Sequence, residues 1–356
     1  MKNIIDLRSD TVTMPTGKML ESISNAQLGD DVFQEDNTVN ELQKKASQMM
    51  GMEDALLVPS GTMGNLVSIL THCPRGTEII LGDQSHTFYY EAGGISAFGG
   101  IHSRQLKNQR DGTIKLSEIK SSIRIDNVHF PKTSAISLEN THNLCNGYPL
   151  TQNYIQDVID ISKENKMKVH IDGARIFNAA ISQNIDVSNL IKDADSITFC
   201  LSKGLSAPVG SIICGSEKFI YYARRNRKAL GGGMRQAGII ASAGIVALEN
   251  MVNRIKEDHI NAQVLAEGLE KIDGITINKN DIKTNIIYFN IDVHKSRSKS
   301  LLKQTINKTQ YPYEIIMNDV SFLEISPNRF RLVTHCGITK DDLGIVISEI
   351  KSMIEY

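Results

Sequence analysis

The residues with the clearest chemical potential stand at the ends of short apolar runs. Lys203 follows Phe199-Cys200-Leu201-Ser202 and precedes Gly204. The run reads as a buried strand, so Lys203 falls at its C-terminal end, where open α/β sheets bind ligands. A desolvated lysine is the residue type that forms Schiff bases, because burial favours the neutral amine. Asp172 closes a second run, Lys168-Val-His-Ile-Asp172, and is followed by Gly173-Ala174-Arg175. A carboxylate so placed suits a protonated pyridine nitrogen. Each residue also has a plainer reading, as a surface lysine or as a helix-capping aspartate. Their coincidence at two separate strand ends points to a shared crevice.

Ser60-Gly61-Thr62-Met63-Gly64-Asn65 fits a phosphate cup. Small residues let backbone N–H groups approach an anion, and a helix N-terminus favours one. The same string serves as an ordinary N-cap. His86 follows another strand-like run, where an imidazole can stack on a flat cofactor, act as a base, or simply hold a loop. Other chemistries lack their motifs: there is no G-x-x-x-x-G-K-[ST], G-x-S-x-G or H-E-x-x-H, and no G-x-G-x-x-G after a strand. The five cysteines form no C-x-x-C pair, so no disulfide framework and no metal site are expected.

The elements that must position these residues follow from periodicity. Ala55–Val58, Glu78–Gly82, Ser134–Leu138, Lys168–Ile171, Ser196–Cys200 and Val209–Cys214 read as buried strands. Helical patterns alternate with them: one capped by Asn37 or Thr38 and running to about Met50, one from the Ser60 turn to Thr71, and one over Thr151–Asn165. That alternation predicts an α/β fold with a mostly parallel central sheet sandwiched by helices. A single long helical pattern spans Arg235–Leu269. Beyond Gly274 the strand-like runs are Ile286–Ile291, Tyr313–Met317 and Phe330–Val333, with helical runs over Lys299–Asn307 and Asp341–Ile354, a small C-terminal α+β domain. The expected organisation is an irregular arm over 1–36, a large domain over 37–273 and a small one over 274–356. The charge run Lys295–Ser300 reads as a solvated helix entry.

Composition narrows the partners. The chain has 356 residues, enough for about two domains at roughly 150 residues each. Lys plus Arg numbers 39 against 40 Asp plus Glu, a net charge of −1, which argues against phosphate-neutralising nucleic-acid binding and against a polybasic membrane surface. The N-terminal stretch carries Asp6, Arg8 and Asp10 where a secretory leader needs an apolar core. A cytoplasmic enzyme acting on a small molecule is expected.

Taken together, the strings resemble the low-specificity L-threonine aldolase family, pyridoxal 5'-phosphate enzymes of fold type I (the aspartate-aminotransferase superfamily). The resemblance rests on Asp6–Thr13 (DLRSDTVT), Gly29-Asp-Asp-Val32, Ser60–Asn65, His86, Tyr90–Gly94, Ser137–His142, His170–Arg175, Leu201–Gly210 (LSKGLSAPVG), Gly231–Gln236 (GGGMRQ) and Arg331–His335. It implies that Lys203 carries the cofactor as a covalent aldimine, that Asp172 pairs with its ring nitrogen and that His86 stacks on the ring. It implies phosphate contacts from Gly61, Thr62 and Arg235, the last reaching across from a neighbouring subunit. Arg175 is implied at the cofactor and, with Ser9 and Arg331, at the substrate carboxylate. His129 and Lys228 are implied beside the substrate β-hydroxyl, and Glu91 in ordering the cofactor's surroundings. The implied reaction is reversible Cα–Cβ cleavage of L-threonine or L-allo-threonine to glycine and acetaldehyde, with His86, His129 or a water between them as base. A homo-oligomer, a dimer of dimers with shared active sites, is implied too. Two rivals stand beside it: another fold-type-I lyase or hydroxymethyltransferase-like enzyme, and a catalytically inactive regulatory protein on the same scaffold.

Overall fold

A computed structural model describes residues 4–292 and 313–355. The Lys295–Ser300 charge run and the helix expected over Lys299–Asn307 lie outside the described residues. The chain opens with β1 (Ile5–Asp6), α1 (Gly17–Ser24), α2 (Asn37–Met50), β2 (Asp54–Val58), α3 (Gly61–His72) and β3 (Glu78–Gly82). The short helices α4 (His86–Tyr89) and α5 (Gly94–Ala97) precede β4 (His102–Leu106), α6 (Leu116–Ser122), β5 (Thr133–Glu139), α7 (Gln152–Glu164) and β6 (Lys168–Asp172). Then come α8 (Ile176–Gln183), α9 (Val187–Leu190), β7 (Ser196–Cys200), β8 (Ser211–Gly215), α10 (Glu217–Ala229), α11 (Gly238–Asn250) and α12 (Ile255–Leu269). The remainder holds β9 (Ile275–Thr276), β10 (Ile286–Ile291), β11 (Tyr313–Met317), β12 (Val320–Ser326), β13 (Arg329–Val333) and α13 (Lys340–Glu355).

Residues 15–252 form one compact unit, and the described residues within 1–14 and 253–356 form the other. These boundaries fall elsewhere than the 1–36, 37–273 and 274–356 divisions that the sequence pattern suggests. The reason is pairing: β1 runs parallel to β12, and Leu7 joins Ala262, Leu265 and Leu269 of α12 in the core of the second unit. The expected single helix over Arg235–Leu269 is two helices, α11 and α12, interrupted at 251–254.

The sheet of the 15–252 unit has seven strands in the order β2-β8-β7-β6-β5-β3-β4. Neighbours β7, β6, β5, β3 and β4 run parallel, and β8 is antiparallel to both β2 and β7. The central strands are buried along their length, as a parallel sheet covered on both faces requires. Helix α3 lies against this sheet. Its Leu66 and Ile69 pack with Ile79 and Leu81, and its Val67 packs with Leu56, Val58 and Ile213. Ser60 starts the helix by accepting from Met63 N at 3.2 Å. Helix α2 begins one residue ahead of the expected caps. The buried Asp36 takes the position, because its carboxylate accepts from Val39 N (3.0 Å), Gly238 N (2.8 Å) and Gly29 N (3.2 Å). Asn37 and Thr38 become the first helical residues.

The other unit is built on an antiparallel order, β12-β13-β10-β9, with β11 on β12 and β1 parallel at the edge. Its core is aromatic: Phe289, Phe322 and Phe330 are fully buried, with ring centroids 5.3 to 6.5 Å apart. Helices α12 and α13 supply Leu265, Leu269, Leu343, Val346 and Ile350 to the same core.

Candidate active site

Parallel strands deliver their following residues to one edge of a sheet, and in the order β3-β5-β6-β7 four chemical groups arrive side by side. His86 opens α4 just after β3, Glu139 ends β5, Asp172 ends β6 opposite Glu139, and Lys203 lies three residues past β7. Lys203 is half-buried. Its carbonyl accepts from Ser206 N at 2.8 Å within the tight turn that follows β7.

Hydrogen bonds tie the row together. Asn65 of α3 donates its amide N–H groups to Asp172 Oδ2 (2.9 Å) and Glu91 Oε1 (2.8 Å). The same Glu91 oxygen lies 2.8 Å from His86 Nδ1. Asp172 Oδ1 accepts from Ala174 N at 3.2 Å, so both of its oxygens face donors. Glu139 accepts from His86 N (2.6 Å) and Asn143 N (2.8 Å), which fixes the start of α4. Burial pulls the His86 pKa down, but the Glu91 hydrogen bond and the charges of Asp172, Glu91 and Glu139 outweigh it and hold His86 above its ordinary value. Burial, helped by the neighbouring Asp172 charge, pushes Glu91 up against its hydrogen bonds to His86 and Asn65. Both shifts favour the protonated form, and the 2.8 Å contact lets the two groups exchange a proton, which suits an acid–base pair. One donor atom each from His86, Glu91 and Asp172 lies within 4.8 Å of the others, but the Asn65 N–H groups already occupy both carboxylates, and a cation there would have to displace them.

The N-terminus of α3 reaches the same edge because of two glycines. A Cβ on Gly64 would come within 2.4 Å of Thr198 Cγ2, and one on Gly61 within 2.9 Å of Cys200 Sγ. Only glycine lets the helix lie this close to β7. The N–H groups of Gly61 and Thr62 belong to the first turn and lie outside the intrahelical ladder. The donor set fits pyridoxal phosphate. A helix N-terminus suits its phosphate, a buried carboxylate its ring nitrogen, an imidazole its ring face, and a lysine its aldehyde.

The other expected residues are distributed as follows. Arg175 is buried at the start of α8, three residues after Asp172. In the second unit, Arg331 of β13 is largely buried and its Nη2 donates to the Arg8 carbonyl at 3.0 Å. That carbonyl belongs to the peptide leading into Ser9, so two expected carboxylate-binding residues far apart in sequence are neighbours. Ser9 Oγ accepts from Thr11 N at 3.2 Å. His129 is exposed, its backbone N–H on Asn127 Oδ1 at 2.9 Å, and it does not join the His86–Glu91–Asp172 cluster. Arg235 is exposed and pairs with Asp30 at 3.0 Å. Lys228 lines a cavity of about 980 Å³ shared with Asp31, Tyr221, Arg224 and Gly233, which includes none of His86, Asp172 and Lys203. Beside it Arg227 and Asp31 form a buried ion pair at 2.7 Å. Glu139 and His170, which the sequence pattern gives no role of their own, and Asn65, read only as the end of the phosphate-cup string, carry much of the network. Glu139 had a readable signal, since it too ends an apolar run.

An α/β scaffold with a lysine, a buried carboxylate and a helix N-terminus at one sheet edge defines the class, a pyridoxal-phosphate enzyme. The comparisons give the family. Residues 6–292 match the beta-eliminating lyase model. The low-specificity L-threonine aldolase 1 of Arabidopsis thaliana is 43% identical over 97% of this chain and 94% of its own. The low-specificity L-threonine aldolase of Escherichia coli strain K12 is 38% identical over 99% of each chain. Among solved structures, a threonine aldolase from Leishmania major matches the fold with a TM-score of 0.78 at 16% identity, over 98% of this chain and 99% of that one. The chain belongs to the beta-eliminating lyase family and, within it, to the low-specificity L-threonine aldolases.

Proposed function

We propose that this chain is a lyase that cleaves the Cα–Cβ bond of L-threonine and L-allo-threonine, giving glycine and acetaldehyde. The observation that carries this reading is the row of His86, Glu91, Asp172 and Lys203 beside the α3 N-terminus. Pyridoxal phosphate, when bound, supplies a covalent anchor for the amino group and a sink for the electron pair released on cleavage. Lys203 is the amine that would hold it. Asp172, fixed by Asn65 and Ala174, would face its ring nitrogen, and Gly61 and Thr62 its phosphate. His86 would stack on its ring and would offer Nε2 to the β-hydroxyl proton, since Nδ1 is engaged by Glu91. Glu91 keeps a proton within reach of that imidazole. Arg331, Arg175 and Ser9 bind the substrate carboxylate, for which a guanidinium fork is the matching shape.

His129, Lys228 and Arg235 are read as serving a site completed by a second copy of the chain, in a dimer of dimers. All three are exposed within one chain, and the Lys228 cavity is lined by the exposed Tyr221. No helix among the described residues is long and apolar enough to cross a membrane, and a cytoplasmic location is part of the proposal.

The test is direct. Purified protein with pyridoxal phosphate is given L-threonine, L-allo-threonine and L-serine, and acetaldehyde, glycine and pyruvate are quantified. Equal release of acetaldehyde and glycine is expected. Pyruvate without acetaldehyde would replace this reading with a β-eliminating one. Sedimentation velocity reports the oligomer, and a monomer at micromolar concentration would remove the roles given to His129, Lys228 and Arg235 in a shared site.

A further inference from the structure

Helix α3 presents an unusual face to the sheet. Asn65, Ser68 and His72 recur at i, i+3 and i+7, so they share one side of the helix. That side meets β6 and β7, where His170 pairs in register with Ser196 and Asp172 with Thr198. Asn65, Ser68, His170, Ser196 and Thr198 are all buried. A polar stripe at this depth is costly unless every group is satisfied.

It is satisfied in one sense only. Asn65 faces two carboxylates, Asp172 and Glu91, so the amide nitrogen must point at them. Its Oδ1 is then left as an acceptor, 3.1 Å from His170 Nε2, which must carry the proton. His170 Nδ1 is therefore the bare nitrogen, and Ser196 Oγ donates to it at 2.9 Å. Ser196 Oγ in turn accepts from His72 Nε2 at 2.7 Å, with the His72 ring stacked on Phe219. A neutral His170 ring is required for this sense, and burial drives His170 down to about 3; burial lowers His72 to about 3 as well, although either of its forms that carries a proton on Nε2 can donate to Ser196.

We propose that Asn65 is a positioning residue for Asp172 and Glu91, and that the His72–Ser196–His170 chain fixes which way its amide faces. Reversed, the amide would turn its oxygen on two carboxylates. The chain of donors thus reaches from the far end of α3 to the carboxylate assigned to the cofactor nitrogen. The inference rests on that assignment of Asp172.

The experiment measures pyridoxal-phosphate affinity of the full chain by visible absorbance, together with kcat and KM for L-threonine. Asn65→Ala should weaken cofactor binding about 10–100-fold, the usual loss when the group orienting a ligand residue is removed. His170→Leu breaks the chain and should cost roughly 10-fold by the same reasoning. His170→Gln offers an acceptor and a donor like the neutral ring and should restore most of that loss. Because His170 acts through Asn65, the Asn65→Ala/His170→Leu double variant should be no worse than Asn65→Ala alone. Should His170→Leu not fold, Ser196→Ala takes its place in the same cycle. Additive losses, failure of His170→Gln to rescue, or unchanged affinity in Asn65→Ala would each overturn the proposal. Asp172→Ala separates the two levels: wild-type affinity there overturns the assignment of Asp172 itself, whereas weakened affinity there with an inert Asn65→Ala overturns only the positioning role.

Discussion

The two units bury different things, and the difference locates the chemistry. The sheet of residues 286–333 is antiparallel and closes over Phe289, Phe322 and Phe330, side chains with no hydrogen-bonding demand. The sheet of residues 54–215 is mostly parallel and buries Asn65, Glu91, Glu139 and Asp172 around its C-terminal edge, with His170 and Ser196 further back along β6 and β7. An aromatic core needs only volume and area, and substitution there costs packing. A polar row needs direction as well, since each group must meet a partner of the right kind. Among the aromatic unit's own residues, Arg331 is a buried cation, and its Nη2 is held against the Arg8 carbonyl beside Ser9.

Predictions sharpen this contrast. The largest effect is expected at His86. His86→Asn should lower kcat for L-threonine roughly 10²–10⁴-fold with the fold intact, as loss of a general base does. An unaltered steady-state rate would take the acid–base role away from His86 and leave His129 to be tested in the same way. Next is the aromatic core. Phe330→Ala should destabilise the protein by about 3–5 kcal/mol in urea unfolding while leaving the visible absorbance of bound cofactor in place below the transition. Loss of that absorbance in the native baseline would show that the two kinds of burial are not separable.

A smaller effect belongs to Arg331. Arg331→Ala should raise KM for L-threonine about 10–100-fold, the equivalent of one or two charge-assisted hydrogen bonds, and change cofactor affinity little. An unchanged KM would leave Arg175 as the carboxylate ligand.

The smallest effect is on acid stability. Burial lowers His72 and His170 to about 3 and His259 to about 4 from an ordinary 6.5. Between those values the unfolded chain binds protons that the folded chain does not, so stability falls as pH drops below 6.5. Asp258, raised by burial to about 6, acts in the opposite sense between 6 and 3.8. His170→Gln removes one of the three histidines, so its urea midpoint should fall less than that of the parent between pH 7 and pH 5. Equal falls would mean that His170 is not buried as a neutral ring.

The strand ends were legible because a buried parallel strand is a five-residue apolar run that stops where the chemistry starts. Lys168–Asp172, Ser196–Cys200 and Glu78–Gly82 all follow that pattern. Strand β4 was not, since His102-Ser-Arg-Gln-Leu106 lies at the sheet edge and has no continuous apolar run. Strand β12 escaped as well. Helix α1, capped by Thr16, fell in a stretch read as irregular. The helix break at 251–254 carries no Pro or Gly to announce it. In the site, Lys203, Asp172, His86 and the Gly61 turn could be read one at a time. Asn65 and His170 could not, because a polar residue inside a helix or strand acquires meaning only from the partner that folding brings to it. Exposure of Lys228, Arg235 and His129 within a single chain is a further feature that local pattern does not contain.

The central claim is that the row at the C-terminal strand ends holds pyridoxal phosphate on Lys203. Reducing the loaded protein with borohydride, digesting it and mapping the modified peptide by mass spectrometry tests that claim most directly. A pyridoxyl phosphate group on Lys203 alone is predicted, absent in Lys203→Ala. A label on a different lysine, or none in a protein that cleaves L-threonine, would contradict it.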